Sequence, residues 1–339
     1  LRGNRDSAQA RVRRCGLRSR LLALAAALLL PVGTALGADA CPAPVGVSVQ
    51  VLGSGGPVAD DGRASSAYLV WVDGRARALV DIGGGAMLRF AEAGASFRDL
   101  DAVLLTHLHA DHSAGLPALL KSGYFSDRAR SLVLAGPSAG SAFPSVEDFL
   151  AAVLQPGGGA FAYLSGYLDG TGGLPYLRVV MVEIDDDNGG GDEGAGEKDD
   201  DLDVSRITLR DSPLRIDATG GSHGPIPAVF YRVVARDKVI VFAGDHDGRS
   251  DILAEFARDA DVLIAHLPIP EDPGRGIQNL HAIPSRVGEL AEEAQVGQLV
   301  LSHFMARSLT DLDANVTAVR TRYKGPVLVA QDLSCLNLP

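Results

Sequence analysis

Thr106-His107-Leu108-His109-Ala110-Asp111-His112 gathers three of the chain's eight histidines and an aspartate into seven residues. The apolar run Ala102-Val103-Leu104-Leu105 before it reads as a short buried strand, and Ser113 to Leu120 after it reads as the first turns of a helix. The cluster is therefore expected at the carboxyl end of a strand, where α/β folds usually place their chemistry. His107 and His109 are two apart and can point one way, while Asp111 and His112 come a turn later and can point another. Imidazole and carboxylate suit zinc, and two donor pairs this close suggest two metals rather than one. A lone loop histidine is ordinarily just a polar side chain; three of them with an aspartate in so short a window are hard to read that way.

Outward from this stretch, 339 residues with 46% hydrophobic content can bury a sizeable core. Residues 1–20 carry seven arginines, Leu21 to Leu30 is wholly apolar, and small residues follow to Ala40. That order describes a secretory signal over 1–37, with cleavage possible up to 40, and a mature domain over 41–339. The apolar core is too short to span a bilayer comfortably, so no stable membrane span is expected once the signal is removed; an uncleaved anchor or a lipoprotein is the lesser option. The expected location is periplasmic or secreted. Cys41 and Cys335 would remain near the two ends of the mature chain, either paired or as two free thiols. Loss of seven arginines and one acid with the signal moves the net charge from −11 to −17, which argues against a nucleic-acid partner.

Along the mature chain, strands are expected at Val47–Leu52, Ala67–Val72 and Ala76–Val80, the last two a hairpin about Asp73-Gly74. Further strands are expected at 131–135, 207–210, 214–218, 228–234, 239–243, 261–265, 298–302 and 327–330, with helices at 87–93, 146–154, 251–258 and 283–294. Residues 185–203 hold five glycines and eight aspartates and should form a disordered acidic insertion. Strands with covering helices in both halves fit two packed sheets flanked by helices.

The 107–112 run resembles the H-x-H-x-D-H motif of the metallo-β-lactamase superfamily. That resemblance implies an α/β fold, the four-layer αββα sandwich of two mixed sheets, with metals in a cleft at the sheet edges. His223, Asp245 and His303 lie next to strand ends, as the first cluster does, and look like the superfamily's later ligand motifs. The implied assignment is His107, His109 and His223 on one zinc, and Asp111, His112 and His303 on the other. Asp245 would bridge them, since a carboxylate has two oxygens to share. The cofactor is then two Zn²⁺, with Mn²⁺ or Fe²⁺ open because such donors accept all three. A hydroxide bridging the metals, its pKa drawn down to roughly 7, would be the nucleophile, with Asp111 orienting it or accepting its proton. Asp81, after the strand 76–80, resembles the superfamily's aspartate that holds the ligand loop; an aspartate that merely ends a strand is the alternative.

Leu52-Gly53-Ser54-Gly55-Gly56-Pro57, Leu79-Val80-Asp81-Ile82-Gly83 and Gly115-Leu116-Pro117 look more like ribonuclease Z and its relatives than like lactam hydrolases. In that branch a histidine placed like His281 contacts the scissile phosphate and assists the leaving group; a surface cap is the other reading of His281. Gly53, Ser54, Gly55 and Gly56 could cradle an anion through backbone N–H groups. His246 could line the pocket or be a bland neighbour of Asp245. Departures matter too. Leu267 follows His266 where the family has His-Glu, and no long basic arm for gripping tRNA is evident. The expectation is thus an exported dinuclear zinc hydrolase acting on a small phosphodiester or related ester. A lactonase or β-lactamase is the first alternative and a non-catalytic metal-binding scaffold the second. A homo-oligomer stays open.

Overall fold

Alternation along the strands decides the layering. In β1 (Val47–Gly53) and β2 (Ala67–Val72), Val47, Val49, Val51, Tyr68, Val70 and Val72 join one core, while Leu52, Leu69 and Trp71 join another. Successive strand side chains point to opposite faces, so each strand supplies both cores. The first core also takes Ile216, Tyr231, Val233, Ile240, Phe242 and Ile264 from a second sheet, so it is the layer between the sheets. The second core packs sheet one on Phe90, Leu116, Leu120 and Leu150 of its covering helices. A third packs Val241, Leu263 and Leu299 on Leu253, Phe256, Leu290 and Val319. Four layers follow, helix on sheet on sheet on helix.

The computed structural model describes residues 42–43, 45–184, 202–274 and 276–338, all within one unit spanning 39–339. The signal expected at 1–37, Cys41 and residues 185–201 of the acidic stretch lie outside the described residues. After β1 and β2 come β3 (Arg75–Val80), β4 (Ala102–Leu104), β5 (Leu132–Pro137) and β6 (Leu177–Val182). The second half brings β7 (Ser205–Ile207), β8 (Leu214–His223), β9 (Ile226–Ala235), β10 (Lys238–Phe242), β11 (Val262–His266), β12 (Gln298–Ser302), β13 (Val327–Val329) and β14 (Cys335–Leu338). One sheet runs β14-β1-β2-β3-β4-β5-β6 and the other β13-β12-β11-β10-β9-β8-β7. Both share a plan, antiparallel as far as β3 or β10 and parallel beyond. Parallel strands put their carboxyl ends on one edge, and that edge carries the histidines.

Several elements differ from the sequence expectation. The strand expected at 207–210 is β7 at Ser205–Ile207, and β8 continues to His223 rather than stopping at 218. His223 pairs with Ile226 across a two-residue turn in which Gly224 has φ +59°, a conformation that favours glycine. Unexpected elements are β6, β14 and the helix Leu312–Arg322. That helix has almost no sequence amphipathicity and buries only Asn315, Val316 and Val319, so its docking on helix Pro284–Glu293 holds it. The helix Val146–Leu154 lies where its pattern puts it, fixed by a capping box between Ser145 and Asp148. Cys335 is disulfide-bonded. Among the described residues no helix is long and apolar enough to cross a membrane.

Candidate metal centre

Three parallel strands of the second sheet and two of the first end at one place. Asp81 follows β3, His107 to His112 follow β4, Asp245 follows β10, His266 closes β11 and His303 follows β12. His223 arrives from the tip of the β8–β9 hairpin. Asp81 and His303 have φ of +54° and +56°, left-handed values uncommon for non-glycine residues and often kept at functional sites.

Asp245 is the hub. Its Oδ2 lies 4.0 Å from His107 Nε2, 3.9 Å from His112 Nε2 and 3.7 Å from His223 Nε2, and its Oδ1 lies 3.4 Å from His303 Nε2. His109 Nδ1 is 3.0 Å from His107 Nε2. On the other side, Asp111 Oδ2 is 3.2 Å from His303 Nε2 and 3.6 Å from His112 Nε2. The side chains thus fall into two groups that meet at Asp245, His107 with His109 and His223, and Asp111 with His112 and His303.

The ring nitrogens say which of them are free to bind a cation. His112 Nδ1 bonds Asp81 Oδ2 at 2.7 Å and His223 Nδ1 bonds the Leu280 carbonyl at 2.7 Å. In both rings Nε2 is buried without a partner. Donation from Nδ1–H fixes the tautomer and leaves the Nε2 lone pair aimed into the site, the arrangement ligating histidines show. The donor set fits divalent ions of the zinc type. His266 is close enough to belong to the second group, but both its nitrogens are engaged. Its Nδ1 donates to Asp245 Oδ1 at 2.7 Å, and its Nε2 is 2.9 Å from the Tyr68 hydroxyl. It therefore supports the carboxylate of Asp245 and leaves no lone pair for a metal.

Asp81 takes the Thr106 N–H at 2.7 Å and the Thr106 hydroxyl at 2.8 Å as well as His112, so one buried carboxylate pins the ligand loop. The site's charges shift its acids and bases. Burial would push Asp111 up, yet the hydrogen bond to His303 and the charges of His112 and His303 outweigh it and hold Asp111 at about 2. Burial likewise opposes protonation of His112, but Asp81, Asp245 and Asp111 raise it to about 9. Burial drives His281 down to about 3; Asp245 opposes that fall while His223 and His303 add to it.

A cleft of about 330 Å³ opens beside these groups, walled by His109, Asp111, His223, Asp245, His303, His281, Leu280, Pro57, Met305 and Arg307. His281 Nδ1 is buried without a partner, 3.8 Å from Asp245 Oδ2. Arg307 is anchored by the Pro268 carbonyl at 2.9 Å and Met305 Sδ at 3.1 Å. Arg307 and the supporting role of His266 escaped the sequence reading. His266 gave a signal in hindsight, a histidine closing a strand like the others; a single arginine in a helical turn gave none.

The pocket residues expected from sequence fare differently. His246 is not among the cleft walls. Its ring meets Phe230 edge-on in a separate small cavity with Ser222 and Asp247. The glycine turn is no anion cradle either. Ser54 N–H goes to Asp332 Oδ1, Gly55 N–H to the Ala64 carbonyl and Gly56 N–H to the Phe304 carbonyl. These glycines are needed for close packing instead. A Cβ on Gly53 would lie 1.8 Å from the Ser65 carbonyl oxygen, and one on Gly56 would lie 2.8 Å from the His303 ring.

The profile described as "Metallo-beta-lactamase superfamily" matches residues 60–276. Ribonuclease Z of Mycobacterium sp. (strain KMS) is 32% identical over 271 residues, covering 76% of this chain and 84% of the relative. Ribonuclease Z of Haloferax volcanii is 28% identical over 326 residues, covering 85% and 94%. The crystal structure of human tRNase Z, short form, superposes with a TM-score of 0.64 at 21% identity, over 86% of this chain and 99% of that one.

Proposed function

The chain belongs to the metallo-beta-lactamase superfamily and is a metal-dependent hydrolase of ribonuclease Z-like kind; from that premise we propose an exported dinuclear zinc enzyme that cleaves a small phosphodiester or related ester. One observation carries the reading. A single carboxylate, Asp245, lies 3.4–4.0 Å from the Nε2 atoms of four histidines drawn from both donor groups. A carboxylate with two oxygens within that range of both groups could be shared by two cations, which supports a dinuclear site. Two such ions supply Lewis acidity to the electrophile's oxygen and make a coordinated water acidic enough to react near neutrality.

The chain's own residues do the rest. His107, His109 and His223 would hold one ion and Asp111, His112 and His303 the other, with Asp81 and His266 fixing their ligands from behind. Asp111 would orient the attacking water or accept its proton. Arg307 offers guanidinium N–H groups to a phosphoryl oxygen, a pairing its planar fork suits. Burial keeps His281 neutral, and the negative charge of a bound phosphodiester would raise its proton affinity. Its ring, beside Asp245, then delivers the proton to the departing oxygen.

Support for phosphate over lactam comes from Arg307 and His281 facing the same cleft. The glycine turn no longer contributes. A cleft of about 330 Å³ suits a small substrate, and a formal charge of −11 disfavours a polynucleotide. Purified mature protein should contain close to two zinc per chain by plasma spectrometry. It should hydrolyse bis-p-nitrophenyl phosphate faster than nitrocefin or a lactone. A metal-free, inert protein would overturn the proposal, and preference for nitrocefin would move it to the lactamase reading. Export is tested separately, by amino-terminal sequencing of the periplasmic or secreted form, which should begin between 38 and 41.

A further inference from the structure

The strands that deliver the ligand loop have another end. At the amino ends of β3, β4 and β5, Arg75, Arg77, Arg98, Arg128 and Arg130 line a concavity of about 440 Å³. The concavity is distinct from the metal cleft, since β3, β4 and β5 are parallel and the ligands follow their carboxyl ends.

Its floor is short of negative charge. Asp101, 4% exposed, accepts from Arg77 Nη2 at 2.8 Å, from Arg130, and from the Ser212 hydroxyl at 2.7 Å. Arg128 is equally buried and has no carboxylate at all. Its N–H groups go to the carbonyls of Arg98, Leu100, Arg130 and Ser131. Arg77 and Arg130 therefore share Asp101, Arg128 pairs with no carboxylate among the described residues, and the Nε–H of Arg77 is buried without a partner. Burial lowers the pKa of Arg128 to about 10; repulsion from Arg130 adds to the fall and the charge of Asp101 opposes it. Burial lowers Arg77 as well; Asp101 opposes that, and Arg130 again adds to it.

At the rim, Arg98 pairs with Asp127 at 2.8 Å, both exposed, and Asp99 and Asp211 also line the hollow, so its five guanidiniums meet three lining carboxylates and the buried Asp101. Arg75 is exposed and makes no ion pair among the described residues. A chain with 42 acids against 31 bases would not gather five arginines in one hollow through its average composition. Guanidiniums gathered in one hollow repel one another, and an anion with several oxygens would relieve that repulsion and meet the guanidinium forks in geometry they favour. A hollow of this volume has ligand-sized dimensions.

We propose that the arginine-lined concavity at the amino ends of β3, β4 and β5 binds a small free anion bearing phosphate, at a site separate from the metal cleft. A concave site on an acidic chain disfavours a flat anionic membrane as the source of that phosphate.

The test is calorimetric titration of the metal-loaded protein with inorganic pyrophosphate at fixed ionic strength, repeated for Arg75→Gln, Arg130→Gln and the cleft variant Arg307→Gln. The expected result is saturable binding that Arg307→Gln retains and that Arg75→Gln and Arg130→Gln each weaken at least tenfold, with metal content unchanged. Arg75 is exposed and unpaired, so that variant remains informative even if Arg130→Gln disturbs folding. Three results would overturn the proposal: no heat beyond a chloride control, binding abolished by Arg307→Gln yet untouched at Arg75 and Arg130, or sedimentation with phosphatidic-acid vesicles without binding of the soluble anion.

Discussion

The two edges of the parallel strands carry opposite chemistry on one framework. At the carboxyl edge the polar groups are mostly imidazoles and carboxylates whose lone pairs converge on Asp245. At the amino edge five guanidiniums, donors that stay charged and accept nothing, stand among the carboxylates of Asp99, Asp127 and Asp211. Both edges bury polar atoms without partners, His112 and His223 Nε2 on one side and Arg77 Nε on the other. A buried lone pair left open calls for a cation, and a buried N–H left open calls for an anion. The same fold edge geometry thus selects opposite ligands through donor type alone.

The contrast can be broken most severely at its hub. Asp245→Ala removes the carboxylate shared by both groups, and the expected outcome is loss of metal, read by plasma spectrometry, together with loss of all measurable hydrolysis. His281→Ala should leave metal content intact and lower kcat about 10²–10⁴-fold on the phosphodiester; an unchanged kcat would return His281 to the status of a surface cap. Asp81→Asn keeps the shape but weakens the hold on His112 and Thr106, and metal affinity measured by chelator competition should fall roughly 10–100-fold.

Protonation sharpens the same comparison. Asp81 and its neighbours raise His112 to about 9 in the metal-free protein, so a metal must displace a proton there below that pH. Metal affinity should therefore rise as pH increases from 6 toward 9, with proton release on uptake visible in weakly buffered solution. The amino edge should show no such coupling, since arginines keep their protons throughout. The smallest effect expected is at that edge, where Arg75→Gln should leave hydrolysis and metal content unchanged and alter stability by no more than about 0.5 kcal/mol.

Much of the site was legible because ligands in this fold sit at strand ends, and strand ends are marked by apolar runs giving way to polar ones. His107, Asp111 and His112 announce themselves by spacing, and His303 and Asp245 by closing the runs 298–302 and 239–243. The substrate side was far less legible. Gly53 to Gly56 have the composition of an anion-binding turn, but composition does not reveal that Asp332, Ala64 and Phe304 consume the N–H groups. His246 neighbours Asp245 in sequence, yet consecutive residues leave a strand end in different directions, and its ring packs on Phe230.

The sequence by itself marked strands with covering helices in both halves, a pattern that fits two packed sheets without fixing their layering, and it determined which side chains can donate to a metal, because donor chemistry belongs to residue type. Only the tertiary structure decided which donors meet. His223 and Asp245 are 22 positions apart and His303 lies far beyond both, and their convergence depends on how β8, β10 and β12 are ordered in the sheet. It also decided that His266 is a prop and that the glycine turn is filled, since a lone pair or an N–H is available only if no neighbour has already taken it, and neighbours are a property of packing.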